Sequence, residues 1–273
     1  MFDAVLLFRE ALYGAVVIGI ACSVLGVYVV LRRIVFVGAA LAQLSSAGIG
    51  LALFLAGFGW WGTTHAYTIG MSLVVTLLGA LFFGVGGGRR YLHHEATIGV
   101  TYAVAAAAGI LLVAKAVSGE AHDIFLQGNI LGTTRQDTLI LLAVAVPILV
   151  LHYAFAKEFL FVSFDPETAQ TLGYRVTRWN LLLYFTIGLV IAFAMQFAGV
   201  MLVFNFLVVP AVTGLLLAQT VGGVFAASIA AAVLAAVVGF VISVPFDLPT
   251  GPSIIAVSGA LALLAWLVRR SRK

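Results

Sequence analysis

Four uncharged polar side chains inside long apolar stretches are the groups of this chain that could meet a dissolved solute. They are Gln43, Ser46, Gln196 and Asn205. A polar amide is costly to expose to lipid, so it must face protein or water. Such side chains can line a route for a solute, with Gln43 the first candidate and Asn205 the second. They can equally hold helices together by hydrogen bonds, which is the favoured role for Ser46 and for its neighbour Ser45.

Charged side chains are missing from the middle of these apolar stretches. All ten Asp and Glu residues fall in loops or at the ends of the stretches. Ion-coupled transporters and intramembrane hydrolases keep ionisable groups at depth, so the sequence disfavours both classes. It also lacks a Gly-rich ATP-binding motif and a metalloprotease motif. We therefore predict no catalytic residue and no cofactor in this chain. Glu120, His122 and Asp123 could bind a metal weakly, but an ordinary solvated loop is favoured.

The composition predicts a protein that lies in a bilayer. Hydrophobic residues make up 63% of the 273 residues, charged residues make up 9%, and the mean hydropathy is +1.20. A soluble protein carries about 25% charged residues. We predict one all-α membrane domain over residues 1–273, in the cell membrane. A membrane-spanning helix needs about 20 apolar residues. The nine candidates are 11–31, 35–57, 66–86, 96–114, 138–156, 181–198, 200–217, 222–244 and 253–268.

The sixth and seventh candidates are separated only by Gly199. Residues 181–217 could therefore form one span and a re-entrant piece, which would give eight spans. With nine spans and an external N-terminus, three of the 14 basic residues are outside and 11 are cytoplasmic. The outside three are Arg9, Lys115 and Arg135. Basic residues favour cytoplasmic loops, so we predict this orientation, with a cytoplasmic C-terminus. The same rule explains the net charge of +4 without a nucleic-acid partner.

The predicted cytoplasmic segment 163–178 contains the signals of a short helix. Asp165 suits the position that caps a helix N-terminus, Pro166 suits the first helical position, and Gly173 suits the position after the end. These signals predict a helix of about two turns, on which Leu172 and Ala169 offer apolar contacts. A short exposed helix of this kind can dock on a partner protein. It can also lie on its own bundle, and the residues alone leave both possibilities open.

Five stretches carry a pattern that extends along nearly the whole chain: 25–33 with 36–38, 127–132, 164–173, 196–210 and 246–252. In their order and spacing they resemble the permease subunits of zinc, manganese and iron ABC importers. The resemblance implies the membrane fold of the metal and vitamin B12 type. It also implies a permease dimer, an extracytoplasmic solute-binding protein and an ATPase that binds ATP and Mg²⁺. The ATPase would be coupled through Asp165, Pro166, Glu167, Ala169, Leu172 and Gly173.

One departure from this family concerns the substrate. Where the family reads G-D-A-L-A-H, this chain has Ala39 in place of Asp and Gln43 in place of His. A second family pair, E-D, is replaced by His94 and Glu95. Transition metals prefer imidazole, thiolate or carboxylate ligands, so no metal ligand is predicted. Import of a divalent transition metal is the leading hypothesis for the function. The alternatives are a chelated or non-metal solute, and a membrane scaffold or sensor that does not transport.

Overall fold

The structure is a computed structural model that describes residues 8–57, 65–86, 94–116 and 130–271, without the side chains of residues 65 and 94. Eight of its helices are long and apolar enough to cross a membrane. They are α1 (Arg9–Leu31), α2 (Val35–Ala56), α3 (His65–Gly84), α4 (His94–Lys115), α5 (Arg135–Ala154), α8 (Val176–Leu217), α9 (Val221–Ser243) and α10 (Thr250–Ser271). Two short helices, α6 (Ala156–Phe164) and α7 (Pro166–Thr171), lie between α5 and α8.

Several of these helices begin at residues whose side chains cap the helix N-terminus. Thr134 and Asp137 form a capping box at the start of α5, in which each side chain accepts a hydrogen bond from the other residue's backbone N–H. Thr220 caps α9 by accepting a hydrogen bond from the backbone N–H of Gly223. These bonds satisfy donors that a helix start otherwise leaves unpaired, and here they mark where apolar stretches begin.

The 42-residue helix α8 is divided at Gly199, the predicted boundary between two spans. Gly199 has φ 70° and ψ 168°, a conformation that glycine adopts at little cost. Near one end of α8, the Asn180 side chain accepts a hydrogen bond from Arg32, just after α1. Near the other end, Leu215 packs in a cluster with Leu31 of α1. Both ends of α8 therefore lie at the same end of the bundle, so its halves run in opposite directions. Over the described residues, the chain makes nine passages.

Close helix packing places α8 at the centre of the bundle. It contacts α1, α2, α3, α9 and α10. Leu207 of α8 fits between Gly26 of α1 and Gly38 of α2, where a Cβ on either glycine would overlap it. Small residues allow such approaches between membrane helices. One continuous core joins buried residues from α1 through α10.

Basic residues collect at one end of the bundle, which we call the basic end. Seven of the ten Lys and Arg residues in the described ranges lie there, including those beside α6 and α7. They are Arg32, Arg33, Lys157, Arg175, Arg178, Arg269 and Arg270. The other three lie at the ends of α1, α4 and α5 that face away from it. The predicted charge asymmetry is thus present between the two ends of the helix bundle.

Candidate functional site

Gln43 lies inside the chain, on a face of α2 that α4 covers. Its side chain is 8% exposed, and Ala39 and Ser46, one turn away on either side, are also buried. Ser46 Oγ lies 3.4 Å from the position that a Cβ on Gly109 of α4 would occupy. Residues three or four apart share a helix face, so Gln43 belongs to this same covered surface. In this conformation, the first route candidate is enclosed by its own chain.

Ser45 acts as a packing residue. Its hydroxyl lies 2.7 Å from that of Ser72 on α3, and both side chains are fully buried. Gly48, one turn further along α2, approaches the backbone of Ser72 closely. This hydrogen bond satisfies two polar groups at a tight helix crossing. The interpretation of Ser45 as interhelical packing is confirmed.

Asn205 and Gln196 lie on either side of the break in α8. Asn205 is 4% exposed, and neither its Nδ2 nor its Oδ1 has a hydrogen-bond partner among the described residues. The Nε2 of Gln196 is likewise buried and unpaired there. An unpaired buried polar group costs about 1–3 kcal/mol. Both atoms of the Asn205 amide and the Nε2 of Gln196 could therefore each bind a partner that the described part of the chain does not supply.

The metal-ligand positions carry no conventional ligand set. Within the described ranges, no three His, Cys, Asp or Glu side chains come together as a metal site would require. Ala39 has no ligand atom, and Gln43 has a neutral amide. Glu95 is exposed at the start of α4, and the His94 side chain lies outside the described part. The loop candidates Glu120, His122 and Asp123 and the motif residues 127–129 also lie outside it.

The predicted short helix in segment 163–178 is present as α7. Asp165 Oδ1 accepts a hydrogen bond of 3.0 Å from the Thr168 backbone N–H, and Pro166 is the first helical residue. Hydrogen bonds from the side chain and the backbone of Thr168 hold the pKa of Asp165 below its ordinary value of 3.8. Gly173, just past the end, has φ 88°. Each local signal has the predicted structural role.

The two apolar contact residues of this segment face opposite ways. Leu172 is 67% exposed, whereas Ala169 is fully buried within this chain. The expectation that Ala169 offers a surface contact is therefore wrong, because α7 turns that side toward the rest of its own chain. Glu167 is exposed at the first turn. Two other large side chains of this segment, Phe164 before α7 and Tyr174 after it, are also exposed.

A group of side chains that sequence reasoning did not single out fixes α6 to the bundle. Arg32 donates from Nε to Ser163 Oγ at 2.7 Å and from Nη1 to Asn180 Oδ1 at 2.5 Å. These bonds join the end of α1 to α6 and α8. The only sequence signal was the position of Arg32 at the exit of a span, in a stretch that resembles the family.

Aromatic rings reinforce the same junction. Phe159 of α6 stacks on His152 of α5 with ring centroids 4.3 Å apart, and it also contacts Tyr28 and Trp179. His152 Nε2 is 3.0 Å from Thr186 Oγ1 of α8. Next to the exposed segment, α6 therefore packs on a base of side chains that reaches α1, α5 and α8.

The fold and these features define a multi-pass helical membrane protein with a capped, exposed helix held against its transmembrane core. The chain matches the ABC 3 transport family over residues 5–269 and belongs to that family. The predicted all-α membrane fold and the resemblance to ABC import permeases are thereby confirmed. The chain is a transport permease and not an enzyme.

Relatives match this chain almost from end to end. The manganese import system permease protein ScaB of Streptococcus gordonii is 28% identical over 260 residues, covering 95% of this chain and 90% of that protein. The manganese transport system membrane protein MntC of Halalkalibacterium halodurans is 28% identical, covering 94% and 86%.

Two solved structures share the fold. PsaBC from Streptococcus pneumoniae in complex with Fab superposes with a TM-score of 0.83 at 28% identity, covering 97% of this chain and 94% of that one. An inward-facing metal-chelate type ABC transporter superposes with a TM-score of 0.76 at 15% identity, covering 94% and 84%. The second likeness concerns the fold alone.

Proposed function

We propose that this chain is the permease subunit of an importer for a divalent transition metal ion, manganese first and zinc or iron next. The observation that carries this proposal is the end-to-end similarity to manganese import permeases. A separate ATPase would bind ATP and Mg²⁺ and drive the permease between inward-open and outward-open states.

The proposed route passes Gln43 and Asn205, with Ser46 and Gln196 beside them. All four lie within the bundle, and Asn205 has both amide atoms unpaired in the described part. Because α4 covers the Gln43 face of α2, opening the route there requires α2 and α4 to move apart. A neutral lining binds a bare dication weakly, since one amide oxygen replaces little of its hydration. This favours fast passage over tight binding within the membrane.

A chelated or less charged solute is the second candidate. The observation that favours it is the replacement of the family's ligand positions by Ala39 and Gln43. A chelate keeps its own ligands, so the permease need supply only polar contacts and space. The two candidates differ in whether the bare metal ion is itself a substrate.

Uptake of bare manganese into proteoliposomes that contain the permease and its ATPase, with the solute-binding protein added, tests the cargo. We expect ATP-dependent uptake, and a lower manganese content in cells that lack the gene.

The double variant Ala39→Asp with Gln43→His should gain a bound metal ion and slow its release. Ala39→Asn is the matched control, because it adds similar bulk without charge. No uptake of bare manganese, zinc or iron by the parent would refute metal-ion import and favour the chelate.

We propose that the ATPase docks on the exposed face of α7 around Leu172. In the variant Leu172→Asp, a carboxylate would be buried unpaired at the interface, which costs several kcal/mol (about 3–5). We expect co-purification of the ATPase to be lost, whereas Gln170→Asp on the same exposed segment should have a small effect. Undiminished co-purification with Leu172→Asp would exclude this docking surface. Ala169→Asp is uninformative here, because Ala169 is buried in its own chain.

We propose that the basic end faces the cytoplasm, as the charge asymmetry favours. Single cysteines at Gln170 and Ser271, introduced on a Cys22→Ala background, report both sites at this end. An impermeant thiol reagent should label them in inverted vesicles and leave them unlabelled in intact cells. Labelling of both from outside would reverse the orientation.

Two further partners belong to this proposal. An extracytoplasmic solute-binding protein would deliver cargo at the end opposite the basic end. A second permease chain, identical or related, would complete the route. Within the described chain, fewer than a third of the residues in the most apolar stretch of each of α3, α4, α5 and α10 are buried. Their remaining apolar surface is available to lipid and to such a second chain.

A further inference from the structure

A short loop at the end of the bundle opposite the basic end, which we call the outer end, presents two large apolar side chains. The loop, residues 244–249, joins the last residue of α9 to the first residue of α10. Phe246 is 70% exposed and Leu248 is 48% exposed. Both residues lie outside the spanning helices. Large apolar side chains grouped on an exposed surface commonly mark a site of protein interaction.

The base of this loop is tied together by contacts between α9 and α10. Ser243 Oγ lies 3.1 Å from Thr250 Oγ1, and both side chains are buried. The backbone N–H of Leu248 donates a hydrogen bond of 3.0 Å to the carbonyl oxygen of Ser243. One turn deeper, a Cβ on Gly239 would lie 2.5 Å from the Cα of Ile254, so the two helices approach closely. A surface held on such a frame loses less conformational entropy when a partner binds it.

Asp247, between the two apolar side chains, has a backbone conformation that is uncommon for a residue with a side chain. Its φ is 50°, in the left-handed region, which Asp tolerates better than most residues. The residue is exposed, and among the described residues its carboxylate has no ion pair and no hydrogen-bond partner. Residues held in such conformations concentrate at functional sites. The loop therefore offers an unpaired negative charge between two apolar contacts.

A second stretch at the outer end places this loop beside the central helix. The single 3₁₀ turn Ile130–Gly132, just before α5, contacts α1, α8 and α10. The side chain of Leu131 in this turn is also exposed. The turn and the loop belong to two of the stretches that stand out in the sequence, 127–132 and 246–252. A partner that covers both would lie across the outer end of the bundle, where a cargo for import must enter.

We propose that the loop 244–249 is the surface on which the extracytoplasmic solute-binding protein docks. This inference rests on the proposed import function, because only an importer receives its cargo at the outer end. Phe246 and Leu248 enter an apolar recess of the binding protein, and Asp247 faces one of its Lys or Arg side chains. Aromatic anchors of this kind dominate the binding energy of many interfaces, and opposite charges speed the encounter of the two proteins.

The bilayer surface is the competing occupant of this loop. An apolar side chain near the end of a spanning helix can enter the headgroup region, and Phe246 has the size and exposure to do so. Asp247 opposes this arrangement, because a carboxylate is costly to move toward the acyl chains. The unpaired negative charge between the two apolar side chains therefore favours a protein surface that carries a basic group.

The first experiment measures binding of the purified solute-binding protein, loaded with Mn²⁺, to the full-length permease with its ATPase in nanodiscs. Phe246→Ala should weaken binding by about thirtyfold, the change expected for an aromatic side chain at the centre of an interface. Leu248→Ala should also weaken it, which keeps the test decisive if Phe246→Ala fails to assemble. Phe36→Ala is the matched control, because Phe36 is equally exposed but lies at the basic end, and it should bind as the parent does.

The charge of Asp247 is tested separately from its backbone conformation. Asn also tolerates the left-handed region, so Asp247→Asn should keep the loop conformation while it removes the charge. This variant should lower the association rate at low ionic strength, and its difference from the parent should be lost at high salt. A difference from the parent that does not depend on salt would contradict the pairing of Asp247 with a basic side chain.

The second experiment measures the accessibility of the loop in the same nanodisc complex. Pro245→Cys and Phe36→Cys, each on a Cys22→Ala background, are labelled with a charged thiol reagent. Pro245→Cys should label rapidly, and solute-binding protein at about ten times its Kd should slow this labelling about tenfold. Phe36→Cys should label at the same rate with and without the binding protein. Slow labelling of Pro245→Cys before the binding protein is added would place the loop in the bilayer and overturn the proposal.

The outcomes separate this docking surface from the import function. If Phe246→Ala and Leu248→Ala bind the solute-binding protein as tightly as Phe36→Ala and sustain parental uptake, the docking surface is refuted and the import function stands. If the parent neither binds the solute-binding protein nor takes up cargo, the import function fails, and the docking surface fails with it.

Discussion

Replacing Gly26 by alanine tests the close crossing of α1 and α8 on which the bundle depends. A methyl group on Gly26 would lie 2.8 Å from the carbonyl carbon and 3.3 Å from the Cα of Leu207, and closer still to the carbonyl oxygen. These are backbone atoms in the middle of a helix, so no side-chain rotation can make room. To accommodate the methyl group, α1 and α8 would have to move apart.

The size of the effect follows from two opposing terms. In a helix, alanine is favoured over glycine by about 1 kcal/mol. Overpacking a dense core costs about 1–3 kcal/mol, and a clash with backbone belongs at or above the top of that range. We therefore expect Gly26→Ala to lower the free energy of unfolding by about 2 kcal/mol. For a chain of this size, that corresponds to a fall in Tm of about 4–8 °C.

The assay is thermal unfolding of the purified permease in detergent, followed by the loss of its monodisperse size-exclusion peak. Gly99→Ala is the matched control, because Gly99 is also helical and a Cβ there would meet no atom within 4 Å. That variant should unfold at the parent Tm or slightly above it. If Gly26→Ala unfolds at the same temperature as Gly99→Ala, the close approach of α1 and α8 is refuted.

Three further predictions concern polar groups. Asn205→Leu should raise the free energy of unfolding by about 1–3 kcal/mol in a thermal assay, because it removes an unpaired buried amide. Uptake by the same variant should fall. A destabilised variant would mean that the amide is paired in the assembled protein. Asp165→Ala should weaken ATPase co-purification at neutral pH. Because hydrogen bonds lower the pKa of Asp165, its cap is intact above the ordinary value of 3.8 and is lost as the pH falls below it, so parent and variant should converge only in acid. Thr134→Ala should cost about 1 kcal/mol in a denaturation series and Thr134→Ser much less; equal losses would remove the capping role.

Features that depend on neighbours along the chain could be predicted from the sequence. The positions of the passages follow from the lengths of apolar runs, and a possible division at Gly199 follows from a glycine between two such runs. The choice of nine passages over eight needed the contacts of Asn180 and Leu215 at one end of the bundle. The cap of α7 follows from Asp165 and Pro166, because a helix start needs an acceptor within three residues. The concentration of basic residues at one end follows from counting charges between spans.

The directions in which side chains face were decided by the tertiary structure. Helices that are apolar all round carry no stripe that marks the inner face, so the sequence could not show that α4 covers Gln43. For the same reason, it could not separate buried Ala169 from exposed Leu172, three residues apart on a segment too short to show a pattern. The unpaired amide of Asn205 depends on which distant helices meet there. Close packing between helices determines which helices are in contact. Residues far apart in the chain contribute to each of these contacts.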